Sequence, residues 1–156
     1  MKPISTIIID FLDAQDFVVV SSIDKIGFPH SSAKAIVKID PLGEIYLMDV
    51  YHGVTRENIQ RNPQISISAI DEHKFIGYCL KGKARLIQDG RISQEIIKTW
   101  EKNIVSRLTK RLLKNLVQDR AQGHHPEASL PQPKHLIVLE VEEIVDLAPY
   151  NLRKPV

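Results

Sequence analysis

The sequence predicts a mainly β protein, a small antiparallel barrel of six strands with a few added helices. Several segments alternate apolar and polar residues or are rich in β-branched residues, turn-forming residues separate them, and one long stretch has a helical period. The chain has 156 residues, 43% hydrophobic and 26% charged, which suits a single domain over residues 1–156. Six strands closed by few helices favour a small barrel.

A helix and a strand are expected first. Within residues 1–15, Ile8, Phe11 and Leu12 fall on one helical face, which predicts a short N-terminal helix. Residues 17–23 are almost all β-branched or aromatic in their first half, as in a strand buried on both faces. The Asp-Lys-Ile-Gly sequence that follows is typical of a turn.

The second and third strands come next in the chain. Residues 30–39 alternate with a period of two, which predicts one unbroken strand with Ser32 and Lys34 on the same face. A type I turn of sequence DPLG separates this strand from an apolar one that begins at Glu44. The first three strands are therefore expected to form a meander.

Two further strands, a long helix and a last strand complete the prediction. The segments 65–71 and 75–87 have strand character, and two glycines in the second of them indicate a bulge or a close approach of another backbone. Apolar residues then recur every three or four positions over 92–121, with Trp100 expected to pack that helix on the barrel. Prolines predict a loop over 124–133, before a strand that begins at residue 135.

Composition narrows the function classes. No apolar run is long enough to cross a membrane, no signal peptide is recognisable, and the lone Cys79 cannot form an internal disulfide, so the cytoplasm is the expected location. A net charge of +2 does not favour a nucleic-acid partner. His124, His125 and His135 lack regular ligand spacing, so no metal is assigned.

The stretch from Glu44 to Pro63 contains the candidate site. An apolar strand leads through Gly53 and Thr55 into a short helix that stops at Asn62. Because a helix start presents unpaired N–H groups and the positive end of a dipole, this arrangement suits an anion such as a phosphate. Without a ligand, Thr55 would simply cap the helix.

Three motifs in order carry a family resemblance: GFPHSSAKAIVKI, EIYLMDVYHGVTRENIQRNP and GYCLKGKARLIQDG. Together they resemble the pyridoxamine 5'-phosphate oxidase-like FMN-binding split barrel, over roughly Phe17 to Gly90 and more loosely the last strand. Within that family, the chain is more similar to small FMN-binding electron-transfer proteins and flavin reductases than to the oxidase. The resemblance implies an FMN cofactor, a small-molecule substrate or redox partner, and a homodimer with sites at the interface.

The resemblance also assigns roles to individual residues. The second strand would run along the flavin, the end of the third would abut its rings, the loop into the short helix would hold the phosphate, and the long strand would border the site. Many relatives have Arg-Lys where this chain has Val54-Thr55, with Arg56 one position later. No catalytic residue is identified. The implied cofactor contacts are Ser32, Ala33, Lys34, Ala35, Met48, Asp49, Val54, Thr55, Arg56, Asn58 and Tyr78.

Other ligands and functions remain open at this point. The same type of barrel can hold a deazaflavin or haem. The segment from Lys98 to Arg120 carries seven basic and two acidic residues, so a nucleic-acid-binding barrel without redox activity is an alternative. With 6% aromatic residues, few stacking platforms are available for that role. A dimer without catalytic activity is the third hypothesis.

Overall fold

A computed structural model describes residues 1–49, 53–88, 91–117 and 135–153 of the chain. In its longest helix, side chains are described as far as Ser106 and again at Thr109 and Leu113. The predicted loop 124–133 and the last part of the predicted helix 92–121 lie outside these ranges. The elements are α1 Thr6–Asp13, β1 Val18–Ile23, β2 Pro29–Lys34, β3 Ile36–Asp40, β4 Glu44–Asp49, α2 Val54–Arg61, β5 Gln64–Asp71, β6 Ile76–Gln88, α3 Gln94–Val117, β7 His135–Asp146 and a 3-10 turn Tyr150–Leu152.

The seven strands form one curled antiparallel sheet in the order β2-β1-β5-β6-β7-β4-β3. Its two edge strands, β2 and β3, are consecutive in the chain and are separated by Ala35 alone. The Met48 amide of β4 donates to the Ala35 carbonyl at 2.9 Å, so the pairing with β4 extends to the residue that joins the two edge strands. The mainly β, barrel-like fold predicted from the sequence is confirmed.

The predicted number of strands, six, is wrong, because residues 30–39 form two strands. β2 pairs with β1 as far as Lys34, whereas β3 pairs with β4 from Ile36 and shifts register before Lys38. The chain thus leaves one edge of the sheet and enters the other. Alternation in the sequence persists through this change of partner, since both halves still have one face toward the protein interior.

Two hydrophobic clusters hold the fold together. Inside the sheet, Ile8 and Leu12 of α1 are fully buried among strand residues, so α1 is part of the main hydrophobic core. On the outside, Trp100 of α3 packs against Val37, Met48 and further residues of the same cluster. The predicted role of Trp100 in holding the long helix on the barrel is confirmed.

One of the two glycines in β6, Gly82, lies at a β-bulge. The pairing of β6 with β7 shifts register between Lys81 and Gly82. A Cβ atom on Gly82 would overlap the carbonyl oxygen of Glu140, so the neighbouring backbone comes as close as the sequence predicted. Among the helices that the structure describes, none combines the length and the apolar character needed to cross a bilayer.

Candidate functional site

Buried polar side chains gather at α2 and in the strands near it. In the described ranges, the polar or charged residues classed as buried come from β1, the end of β4 and α2, and α2 packs on β1 and β2. Burying polar groups costs free energy unless they find partners, so such a concentration is a feature of functional sites. These residues are Ser22, Asp49, Thr55, Arg56 and Asn58.

The first turn of α2 begins after a glycine. Gly53 is the N-cap residue, in an extended conformation, and within the described ranges no side-chain cap accepts a hydrogen bond from the helix start. Thr55 is therefore inside the helix and is not its cap. Its Oγ1 lies 2.9 Å from Oγ of Ser32 on β2, where either oxygen can donate. The pair still has one hydroxyl hydrogen to offer to an anion at the helix start.

Lys34 is held by an acidic neighbour. Its Nζ donates to Oδ1 of Asp49 at 2.6 Å, and their side chains are 12% and 2% exposed. Ser32 and Lys34 lie on the same face of β2, as the sequence predicts, so Asp49 and Thr55 contact neighbouring positions of one strand. Because Asp49 compensates the ammonium charge, Lys34 offers less attraction to a phosphate than its position suggested.

Arg56 is the most unusual charged residue of the cluster. It is 6% exposed, and its Nε and Nη1 atoms are buried without hydrogen-bond partners in the part of the chain that is described. Oδ2 of Asp49 is buried and unpartnered in the same sense. Unpaired buried donors and acceptors destabilise a fold by about 1–3 kcal/mol each, more when charged. Two donors and one acceptor therefore fit a ligand that has both an anionic group and a hydrogen-bond donor.

Asn58 and Arg61 fasten α2 to the sheet. The Asn58 amide donates to Oγ of Ser22 at 3.0 Å. Arg61 donates to the Ile23 carbonyl at 2.6 Å and to Oδ1 of Asn58 at 3.0 Å. Asn58, expected to contact a cofactor, therefore has its side-chain hydrogen bonds committed within the protein.

The remaining predicted contacts are distributed on several surfaces. Met48 points away from the cluster and packs under Trp100. Tyr78 lies in the core with its ring 5.3 Å from that of Phe11, and burial, with Asp146 second, raises the pKa of its hydroxyl. Ala33 is exposed, Ala35 is half-buried, and Val54 is 48% exposed. Of the predicted set, the structure thus gathers Ser32, Lys34, Asp49, Thr55 and Arg56 and leaves Met48 and Tyr78 apart.

Ser22 belongs to the cluster but was not singled out from the sequence. It follows Val18 and Val20 at intervals of two on the buried face of β1, and it is 2% exposed. A polar residue at the inward position of an apolar strand was the available signal.

Comparisons with known proteins agree with this architecture. Residues 8–148 match the family model described as pyridoxamine 5'-phosphate oxidase. A comparison with curated proteins gave no match. Among solved structures, HupZ of Group A Streptococcus superposes with a TM-score of 0.67 at 20% identity, covering 93% of this chain and 95% of that one.

Two further solved structures are more distant in sequence. A pyridoxamine 5'-phosphate oxidase-related, FMN binding protein of Nostoc punctiforme gives a TM-score of 0.56 at 13% identity, covering 85% of this chain and 74% of that one. An F420 reductase gives 0.54 at 13% identity, covering 87% and 94%. At such identities, the likeness establishes a shared fold.

Proposed function

Since the chain belongs to the pyridoxamine 5'-phosphate oxidase family, we propose that it binds FMN and acts in flavin-dependent oxidoreduction or electron transfer. The observation that carries this proposal is the buried Arg56, whose Nε and Nη1 have no hydrogen-bond partner among the described residues and which lies in the first turn of α2. The similarity to an FMN binding protein supports the choice of ligand. The bound flavin would supply the hydride or electron transfer.

In this proposal, the protein holds the phosphate through Arg56, Thr55 and the first N–H groups of α2. A guanidinium and a phosphate form charge-assisted hydrogen bonds, which are stronger than neutral ones. The side chain of Val54 has no polar group for an anion and is 48% exposed, so Arg56 would supply the positive charge that many relatives have one or two positions earlier. Lys34 contributes less, because Asp49 occupies its ammonium group.

The ring system needs an apolar surface near this anion site. Ala33 and Val19 are cross-strand neighbours on the outer face of the sheet, and both are exposed. Small side chains there allow a flat ring to approach the backbone of β2. Ala33 lies on the opposite face of the edge strand β2 from Ser32 and Lys34. We therefore propose that the ligand passes over this edge and that its ring faces Ala33 and Val19.

The colour of the purified protein tests the ligand. We expect the protein, expressed without added cofactor, to be yellow with flavin absorption bands and to yield FMN on denaturation. A deazaflavin, suggested by the F420 reductase neighbour, would give a different released cofactor, and haem would give a Soret band. A colourless protein that takes up no FMN would contradict the proposal.

Replacement of Thr55 by valine tests the phosphate contact. Valine keeps the shape of threonine but cannot donate, so Thr55→Val should weaken FMN binding about tenfold, or about 1.4 kcal/mol. Thr99→Val is a matched control, because the Thr99 hydroxyl donates to the Glu95 carbonyl of its own helix, α3, outside the proposed site. Titration of flavin fluorescence measures both. Equal affinities of the two variants would rule out Thr55 as a phosphate ligand.

We further propose that the protein is a homodimer, joined through the outer face of β1, β5 and β6. Large apolar side chains on this face are exposed: Phe17 by 60%, Val19 by 40% and Ile70 by 64%. Leu147 beside Gly77 extends the same apolar surface. A twofold interface brings one patch against its own copy, so an apolar patch is complementary to itself. Ala33 borders it, so a partner would also lie near the proposed ring site.

Ile70→Asp should convert the dimer into a monomer, because the interface would bury two unpaired carboxylates. Light scattering coupled to gel filtration measures the mass. Ile26 is 71% exposed in the turn at the opposite end of β1, so Ile26→Asp should leave the dimer intact. A dimeric Ile70→Asp variant would exclude this face as the interface.

A further inference from the structure

Asp49 has one satisfied and one unsatisfied carboxylate oxygen. Oδ1 accepts from Lys34 at 2.6 Å, whereas Oδ2 is buried and has no hydrogen-bond partner in the described residues. The residue as a whole is 1% exposed. An ionised carboxylate is an acceptor and has no hydrogen to donate, so Oδ2 needs a donor that the described protein does not supply.

The position of Asp49 relative to the anion site can be followed through β2. Lys34 contacts Asp49, and Ser32, two residues earlier on the same face, contacts Thr55. Two residues of a strand span roughly 7 Å. The acceptor at Asp49 and the Thr55 hydroxyl at the start of α2 are thus attached to neighbouring positions on one face of β2.

From the buried, unpartnered Oδ2 in the described structure and its place on the same strand face as the Ser32–Thr55 pair, we propose that Asp49 accepts a hydrogen bond from a hydroxyl group of the polyol chain next to the phosphate of the ligand. The inference rests on the proposed flavin function and names what Asp49 recognises. The ribityl chain of FMN places hydroxyl groups beside its phosphate, whereas the ring N–H lies at the far end of the molecule. Asp49 is then a specificity-determining residue that selects a phosphate ester with neighbouring hydroxyl groups.

The negative charge of Asp49 also favours a ligand with a neutral hydroxyl group at this position. Lys34 and Asp49 together are neutral, so Arg56 is left as the uncompensated charge of the buried set. A second anionic group at the position of the polyol would face the carboxylate without a donor between them and would be repelled. A hydroxyl group fits there, since it donates to Oδ2 without adding charge.

The experiment compares three flavins on the native protein and on Asp49→Asn. Asparagine keeps the size of the side chain and an oxygen for Lys34, but it places an amide donor where Oδ2 stood. Riboflavin has the polyol without phosphate, lumiflavin has neither, and FMN has both. We expect Asp49→Asn to lower the affinity for riboflavin at least tenfold and to leave the affinity for lumiflavin unchanged. Quenching of flavin fluorescence measures both affinities.

Each outcome distinguishes a different source of the effect. If Asp49→Asn binds riboflavin and lumiflavin more weakly by the same factor, Asp49 contacts the ring. If its affinities for all three flavins are unchanged, Asp49 accepts no hydrogen bond from the ligand. Either result overturns the inference but leaves the proposed FMN binding intact. If the native protein binds none of the flavins, the proposed function fails as well. Should Asp49→Asn not fold, the native protein decides, because it must then bind riboflavin at least tenfold more tightly than lumiflavin.

Discussion

Arg56→Gln is expected to weaken FMN binding by about 100-fold and at the same time to raise the stability of the ligand-free protein. Hydrogen bonds to charged groups contribute about 1.5–3 kcal/mol each, so loss of the guanidinium corresponds to two or more factors of ten in affinity. Its Nε and Nη1 are buried without partners in the described residues, so the ligand-free protein loses an uncompensated charge when Arg56 is replaced. Opposite changes in affinity and stability are typical of a residue kept for function.

Arg61 provides the matched control on the same helix. Its guanidinium donates to the Ile23 carbonyl and to Asn58, so Arg61→Gln should lower the melting temperature. Riboflavin lacks the phosphate and should bind Arg56→Gln as it binds the native protein. Thermal unfolding without ligand and fluorescence titration with both flavins measure these effects. If Arg56→Gln lowers the affinities for FMN and riboflavin by the same factor, the guanidinium does not bind the phosphate.

The location of the candidate site could be predicted from the sequence because its signals are local. Gly53, Thr55 and the stop at Asn62 define α2 through nearest-neighbour rules of helix starts and ends. Which residues share a face of a strand, such as Ser32 and Lys34, likewise follows from the period of two. Both kinds of signal depend on residues a few positions apart, which are the interactions that a sequence pattern records.

The partners within the site could not be predicted, because they depend on how the sheet closes. β2 and β4 are not hydrogen-bonded neighbours in the order of the strands, so nothing in the pattern pairs Lys34 with Asp49. The break at Ala35, where the chain changes strand partner, and the burial of Arg56, where α2 packs on β1, β2 and β6, are likewise tertiary. Neither changes the local periodicity of the sequence.

Gly82→Ala should destabilise the fold by about 3 kcal/mol, near the upper end of what overpacking usually costs. An added Cβ would overlap the Glu140 carbonyl oxygen, and backbone atoms of a paired strand cannot rotate away as a side chain can. β6 and β7 would have to separate at the bulge, with loss of ladder hydrogen bonds on both sides. Urea unfolding followed by circular dichroism measures the change in the free energy of unfolding.

Gly27→Ala separates this steric effect from the general cost of replacing glycine. Gly27 has a φ angle of +90°, and an added Cβ would meet nothing within 4 Å, so its replacement should cost about 1 kcal/mol of backbone strain alone. Gly82 has no positive φ angle, so its larger cost must come from the contact with Glu140. Equal destabilisation in the two variants would show that the strands part at the bulge without penalty. The close packing of β6 on β7 would then not be what fixes the barrel wall.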